Sequence, residues 1–248
     1  MIQHFTLPSG EQMAYCFQPG RLPAIVFLPG YMSDMAGGKA QAVLRWAEAE
    51  GQACLLLDYT GCGQSSGAFA DCALSGWRDE VAALVRGLGI ARAVLCGSSM
   101  GGWLMLLVAE ALGDVVTALV GLAPAPDFTD WGYDAAQKAV LAQGETLFED
   151  NPYGPEPTPT HARFWADGQQ NLALVGAIAF DGAVRLIHGQ ADPDVPWAVS
   201  VRLAAALRSA DVQIDLIKDG DHRLSRPADI ALLLRMIETL PSGATDPI

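Results

Sequence analysis

Three residue types placed at intervals along this chain could together turn a hydroxyl into a nucleophile. Ser99 is the middle residue of Gly97-Ser98-Ser99-Met100-Gly101, a G-x-S-x-G pattern inside "VLCGSSMGGWLML". An alkyl hydroxyl attacks a carbonyl carbon only when a base removes its proton, so the pattern calls for a histidine and for a carboxylate that orients it. The chain has four histidines, His4, His161, His188 and His222. His222, in "KDGDHRLS", follows the last strand-like run and precedes the last helical one, where a side chain can reach the edge of a sheet. His4 lies near the N-terminus, His161 in an irregular region and His188 at the end of a strand-like run, so position favours His222. Asp192, in "HGQADPDVPW", stands in the loop after the penultimate strand-like run, with Asp194 as a neighbour easily confused with it.

Taken singly, each residue has a plainer role: Ser99 as a helix N-cap, Asp192 as a turn residue, His222 as a solvated loop histidine. In the order Ser99, Asp192, His222, at successive strand ends, they point to acyl transfer through a serine nucleophile. Ser98 lies one residue too early for that task. Attack on a carbonyl generates an oxyanion that needs fixed donors. The N–H of Met100, at the start of a helix, supplies one; the loop "LPGYMSDMAGG" supplies the other, from Tyr31, whose plainer role is packing. Gly30 lets that backbone come close. No metal ligand set and no cofactor is expected.

Other motifs carry less. "DYTGCGQSSG" offers Gly61-Cys62-Gly63 after a strand-like run, but the third glycine of a dinucleotide loop would fall at Ser66 and no helix opens at once, so it reads as a turn. Cys62 and Ser65 lack a local base. The five cysteines (Cys16, Cys54, Cys62, Cys72, Cys96) are odd in number and without CxxC pairing, which suggests reduced thiols.

The elements that must position these residues follow from hydrophobic patterning. "FTLPSGEQMAYCF" reads as two short strands about a turn. Continuous apolar runs at Pro23, Ala53, Arg92 and Val116 read as strands buried on both faces, separated by helical patterns over 39–50, 74–88 and 100–112. From about 125 to 181 the alternation stops, in a proline-dense segment with helical stretches at 134–144 and 163–172 and the aromatics Trp131, Tyr133, Phe148, Tyr153, Phe164 and Trp165. It then resumes with "AVRLIHG", a helix over 195–210, "VQIDLIK" and a helix over 225–240. The expectation is one α/β domain over 1–248: a mainly parallel sheet of about eight strands flanked by helices, with a small helical lid inserted after the sixth strand. The lid should cover a largely apolar pocket.

With 28 acidic against 15 basic residues and a formal charge of −13, nucleic acid is excluded as a partner. No basic-then-apolar leader and no 18-residue apolar run is present, so neither a secretory signal nor a transmembrane segment is expected.

Together "PGYMSDM", "DYTGCGQSSG", "GSSMGGWLML", "HGQADPDVPW" and "DGDHRLS" resemble the α/β-hydrolase subgroup of mitochondrial palmitoyl-protein thioesterases, also known as acyl-glucuronide esterases. The likeness spans nearly the whole chain. It implies Ser99 as nucleophile, Asp192 as orienting acid, His222 as base, and Tyr31 with Met100 as the oxyanion hole, acting on small-molecule or acylated-protein esters and thioesters. The segment containing "NPYGPEPTPTHARFW" matches the subgroup poorly. The fold is expected to begin almost at Met1 without a transit peptide, as in a cytoplasmic, bacterial-type, monomeric relative. Two other readings stay open: hydrolysis of a carbon–carbon bond in diketone-like ring-cleavage products, and ligand binding without chemistry.

Overall fold

A computed structural model describes residues 1–151 and 154–240. Alternation of side chains sorts the strands' residues to two faces. In β3 (Arg21–Leu28), Ala24, Val26 and Leu28 join one buried cluster, while Ile25 and Phe27 join the other. The neighbouring strands β4 (Gln52–Leu57), β5 (Ala93–Ser98), β6 (Val116–Leu122) and β9 (Ala183–Gly189) are almost wholly buried, which is why they read as unbroken apolar runs. Each such Leu, Ile or Val taken out of water stabilises the fold by roughly 1.5–3 kcal/mol.

With β1 (Gln3–Thr6), β2 (Gln12–Gln18) and β10 (Val212–Ile217), these strands form an eight-stranded sheet in the order β1-β2-β4-β3-β5-β6-β9-β10. The pairings from β4 through β10 are parallel; β1–β2 and β2–β4 are antiparallel. Helices α1 (Gly38–Glu50) and α8 (Pro227–Glu238) cover one face. Helices α2 (Leu74–Gly87), α3 (Met100–Leu112) and α7 (Ala198–Ala206) cover the other. Helix α3 is buried over eleven of its thirteen residues, as its all-round apolar sequence requires.

The chain leaves β3 toward β4 on one side and returns to β5 on the other. That reversal opens a crevice beyond the carboxyl ends of β3 and β5, where ligands bind in open α/β sheets. The loops after these two strands carry Tyr31 and Ser99.

The stretch between β6 and β9 holds α4 (Phe128–Trp131), α5 (Ala135–Ala142), a two-stranded hairpin of β7 (Leu147–Glu149) and β8 (Thr158–Thr160), and α6 (Ala162–Gln170). It is therefore not purely helical. The hairpin tolerates Pro159 because a two-stranded ribbon consists only of edges. Helix α7 is shorter than the expected 195–210, since Leu207 is extended and bridges to Ile178. Tyr153 lies outside the described residues.

Candidate active site

Ser99 sits between β5 and α3 with φ 55° and ψ −119°, a conformation that L-residues seldom adopt and that costs on the order of 1–3 kcal/mol. The surroundings over-determine it. Ser99 N donates to Leu122 O at 2.9 Å, and Ser99 O accepts from Gly102 N at 2.8 Å and Ala125 N at 3.0 Å. The flanking glycines are needed for close packing: a Cβ on Gly97 would lie 2.2 Å from Gly101 O, and one on Gly101 would lie 2.1 Å from Leu28 O. No side chain fits at either place.

The loops carrying the other two residues are joined at their bases. Ala191 N donates to Gly220 O at 3.0 Å and Gln190 N to Ile217 O at 2.8 Å. A Cβ on Gly189 would meet Gly220 O at 2.1 Å, so the two backbones touch there. This contact brings Asp192 to His222. His222 Nδ1 lies 2.8 Å from Asp192 Oδ2, and His222 Nε2 lies 3.0 Å from Ser99 Oγ. The three residues singled out in the sequence thus converge in one hydrogen-bonded line.

The Asp192 side chain is fully buried and accepts on both oxygens. Oδ1 takes the N–H groups of Asp194 at 2.8 Å and Val195 at 2.9 Å, and Oδ2 takes His222. Burial alone would raise its carboxyl. The hydrogen bonds from His188 and His222, the positive charge His222 can carry and the Val195 N–H outweigh burial and hold it well below the usual carboxylate range. Asp194, the confusable neighbour, is exposed and contributes its backbone N–H to Asp192. Asp192, Asp194 and His222 present ligand atoms within 4.8 Å of one another. Asp192 Oδ1 already accepts two backbone N–H groups and Oδ2 lies against His222 and His188, so that carboxylate has no open lone pair for a cation.

Gly30 and Tyr31 follow β3. Ser33 N donates to Gly30 O at 3.1 Å, closing a tight turn with Met32 at φ 55°. A Cβ on Gly30 would lie 3.4 Å from Ser99 Cβ, so this turn abuts Ser99. Met100 N opens α3. Among the described residues neither the Tyr31 nor the Met100 N–H has a backbone partner. The Tyr31 side chain does pack: its hydroxyl donates to Pro159 O at 2.9 Å, and its ring lies 4.9 Å from Phe164 and 5.1 Å from Phe69.

Ser99, His222, Tyr31 and Met100 line a cavity of about 660 Å³. The lining is mixed rather than largely apolar. It includes the aromatics Phe128, Trp131 and Tyr133 and the charged Asp34, Lys39, Glu149, Asp150 and Arg223. Of the aromatics picked out in the insertion, Trp131 and Tyr133 face the cavity, Phe164 is buried in the core and Phe148 is exposed. Lys39 donates to the Arg223 carbonyl, next to His222, and burial first, then Arg223, pushes its ammonium down to about 8.

Two side chains near the site were not picked out in the sequence for these contacts. His188 reaches Asp192 Oδ2 from the end of β9, and Ser200 on α7 lies against His188. The only hint was the four-residue spacing from His188 to Asp192 in "HGQAD". His4 is exposed on β1, and His161 pairs with Thr146 inside the insertion, so neither approaches Ser99. Cys62 is buried in its turn, its thiol pushed up to about 12 first by burial, and Ser65 binds the backbone of Asp58 and Ala14. Both are structural.

The model of the alpha/beta hydrolase family matches residues 25–231. The chain belongs to that family. As an α/β-hydrolase it is 37% identical over 234 residues to the mouse mitochondrial palmitoyl-protein thioesterase ABHD10, covering 92% of this chain and 78% of that protein. The solved structure of mouse alpha/beta hydrolase domain-containing protein 10 superposes with a TM-score of 0.88 at 34% identity, over 96% of this chain and 97% of the other. A solved structure from Agrobacterium vitis S4 gives 0.89 at 34% identity, over 96% and 98%. The mouse thioesterase is named mitochondrial, whereas the sequence alone led to the expectation of a cytoplasmic protein. Among the described residues no helix is long and apolar enough to cross a membrane.

Proposed function

We propose that this α/β-hydrolase cleaves carboxylic esters or thioesters through an acyl-enzyme on Ser99. The observation that carries the reading is the line Ser99 Oγ, His222 Nε2, His222 Nδ1, Asp192 Oδ2, with steps of 3.0 and 2.8 Å. His222 takes the Ser99 proton as Oγ attacks the acyl carbon. The oxyanion forms against the N–H groups of Met100 and Tyr31, which need no reorganisation to receive it. Collapse expels the alcohol or thiol, protonated by His222, which then activates the water that releases the acid. Asp192 keeps the imidazole in the tautomer that offers Nε2 as base.

The insertion over 125–181 serves as a lid within a single domain, its aromatics Phe128, Trp131 and Tyr133 holding the acyl group while charged lining residues meet the leaving group. Likeness to palmitoyl-protein thioesterases supports thioesters and acylated proteins as substrates alongside small esters. All five cysteines are free, as suits a reducing compartment such as the cytoplasm.

The test is turnover of p-nitrophenyl acyl esters and acyl-thioesters by the Ser99→Ala protein, with fluorophosphonate labelling of the wild type. Loss of turnover on the order of 10⁴-fold or more, with folding intact, and an adduct on Ser99 are expected. Retained turnover, or no adduct, overturns the proposal; the latter would favour ligand binding alone.

A further inference from the structure

His222 is not alone in touching the carboxylate that orients it. His188, wholly buried at the end of β9, places Nε2 3.2 Å from Asp192 Oδ2 and 3.0 Å from Val195 O. Its Nδ1 lies 2.7 Å from Ser200 Oγ, also wholly buried. The hydrogens follow from what each partner can do. A carbonyl and a carboxylate only accept, so Nε2 carries the hydrogen; the Ser200 hydroxyl, which can donate to Nδ1, satisfies the other ring nitrogen. We propose that His188 is a positioning residue, whose Nε2–H, shared between Asp192 Oδ2 and the Val195 carbonyl, holds the Asp192 carboxylate toward His222 and moderates its pull on the imidazole. The inference rests on the serine mechanism above and extends it by one residue behind the acid.

The reasoning is electrostatic. Asp192 Oδ2 divides its negative charge between two ring N–H groups, and Oδ1 between two backbone N–H groups. Removing the His188 donor concentrates charge on the side facing His222, which favours the imidazolium and so withdraws the base from use at the acid end of the pH range. It also frees one oxygen of a buried carboxylate from a partner, loosening the rotamer on which the geometry depends. Ser200 acts one step further out, by fixing which nitrogen of His188 carries its hydrogen.

Other charged groups surround His222: Asp192 and Asp194 from the loop after β9, Asp221 and Arg223 from its own loop, and Lys39 from α1. His188 itself faces only Asp192 among charged groups for which a contact is described, with Ser200 opposite on α7. The two histidines therefore communicate through a single oxygen atom.

The experiment compares His188→Leu with His188→Gln in the whole protein, following kcat and KM for a p-nitrophenyl ester from acid to alkaline pH. Leu fills the space without a donor, while the Gln amide can restore an N–H near the Nε2 position. The Leu variant is expected to lower kcat about tenfold, with KM little changed, and to move the acid limb of kcat/KM upward by about half a pH unit or more. Gln should recover most of both. A folded Leu variant with an unmoved acid limb overturns the proposal, whether or not kcat falls, because packing alone would not move the limb. Failure of Gln to recover more than Leu overturns it too. If the Leu variant does not fold, Ser200→Ala takes its place, with a smaller upward shift expected and an unmoved limb overturning the idea. Should Ser99→Ala retain activity, the serine mechanism itself falls. A dead Ser99→Ala beside an unshifted His188 variant sinks the positioning role alone.

Discussion

Asp192 shows how much of the site is decided by single atoms. Its two oxygens accept from two backbone N–H groups and two histidines, and the carboxyl is held below its ordinary range against the opposing effect of burial. Because the folded-state value is lowered, the ionised carboxylate stabilises the fold fully above the unfolded value of about 3.9, and that contribution disappears as pH falls toward the native value. Acid unfolding below pH 4 should therefore be steeper in the wild type than in Asp192→Asn, as read by circular dichroism against pH; parallel curves would contradict this. The same variant should lose on the order of 10⁴-fold in kcat, because an amide can hold the imidazole in the wrong tautomer. Ser99, Asp192 and His222 were legible in the sequence because each sits in a short pattern whose chemistry is local: a glycine-bracketed serine, and an acid and a base in loops after apolar runs. The contact between His188 and Asp192 was not, since it depends on how the end of β9 meets the loop beyond it. Lys39 was equally hidden, because its partner is a carbonyl on a loop 184 residues away.

Elements align these atoms through backbone contact, and glycine is the means. The Asp192 and His222 loops meet where Gly189 faces Gly220. Gly189→Ala would force them apart, with an expected loss of about 1–3 kcal/mol in stability and a clear fall in kcat, measured by denaturant unfolding and steady-state kinetics on the same preparation. Normal kcat in that variant would mean that the loops do not depend on one another. Lys39 makes a second link, from α1 to the His222 loop, and Lys39→Met should lower kcat several-fold and quicken hydrogen exchange over 219–226. No change in either would remove Lys39 from the account. Strands and long helices were readable because burial on two faces, or on one stripe, leaves a period in the sequence. Helix α4 and the hairpin were not readable: four residues of helix carry no period, and the prolines of "NPYGPEPTPTH" masked the short strand Thr158–Thr160.

The insertion is fastened to the rest of the molecule at several points. Within it, the Asp127 carboxylate near its start accepts from Ala173 N at 2.6 Å and Leu174 N at 2.7 Å, tying its two ends together. Asp167 on α6 accepts from Ser75 N and Oγ on α2, and the Trp103 indole N–H binds Asn171 O. Asp167→Ala removes two of these bonds, and about 1–3 kcal/mol of local stability with them, so exchange over 158–174 should accelerate while the sheet is unaffected. Exchange unchanged in that segment would show that the fastening lies elsewhere. The aromatic content of this region was plain in the sequence, but which rings face the cavity and which fill the core is a property of the assembled molecule. Tyr31 belongs to both assemblies: it follows Gly30, whose turn abuts Ser99, while its hydroxyl donates to Pro159 O of the hairpin. On the proposed chemistry, raising the hairpin to admit a bulky guest would tug on the very residue whose amide must stay still during reaction. Admission and bond cleavage would then have to take turns, and an enzyme caught open would idle instead of squandering its acylated guests on passing water.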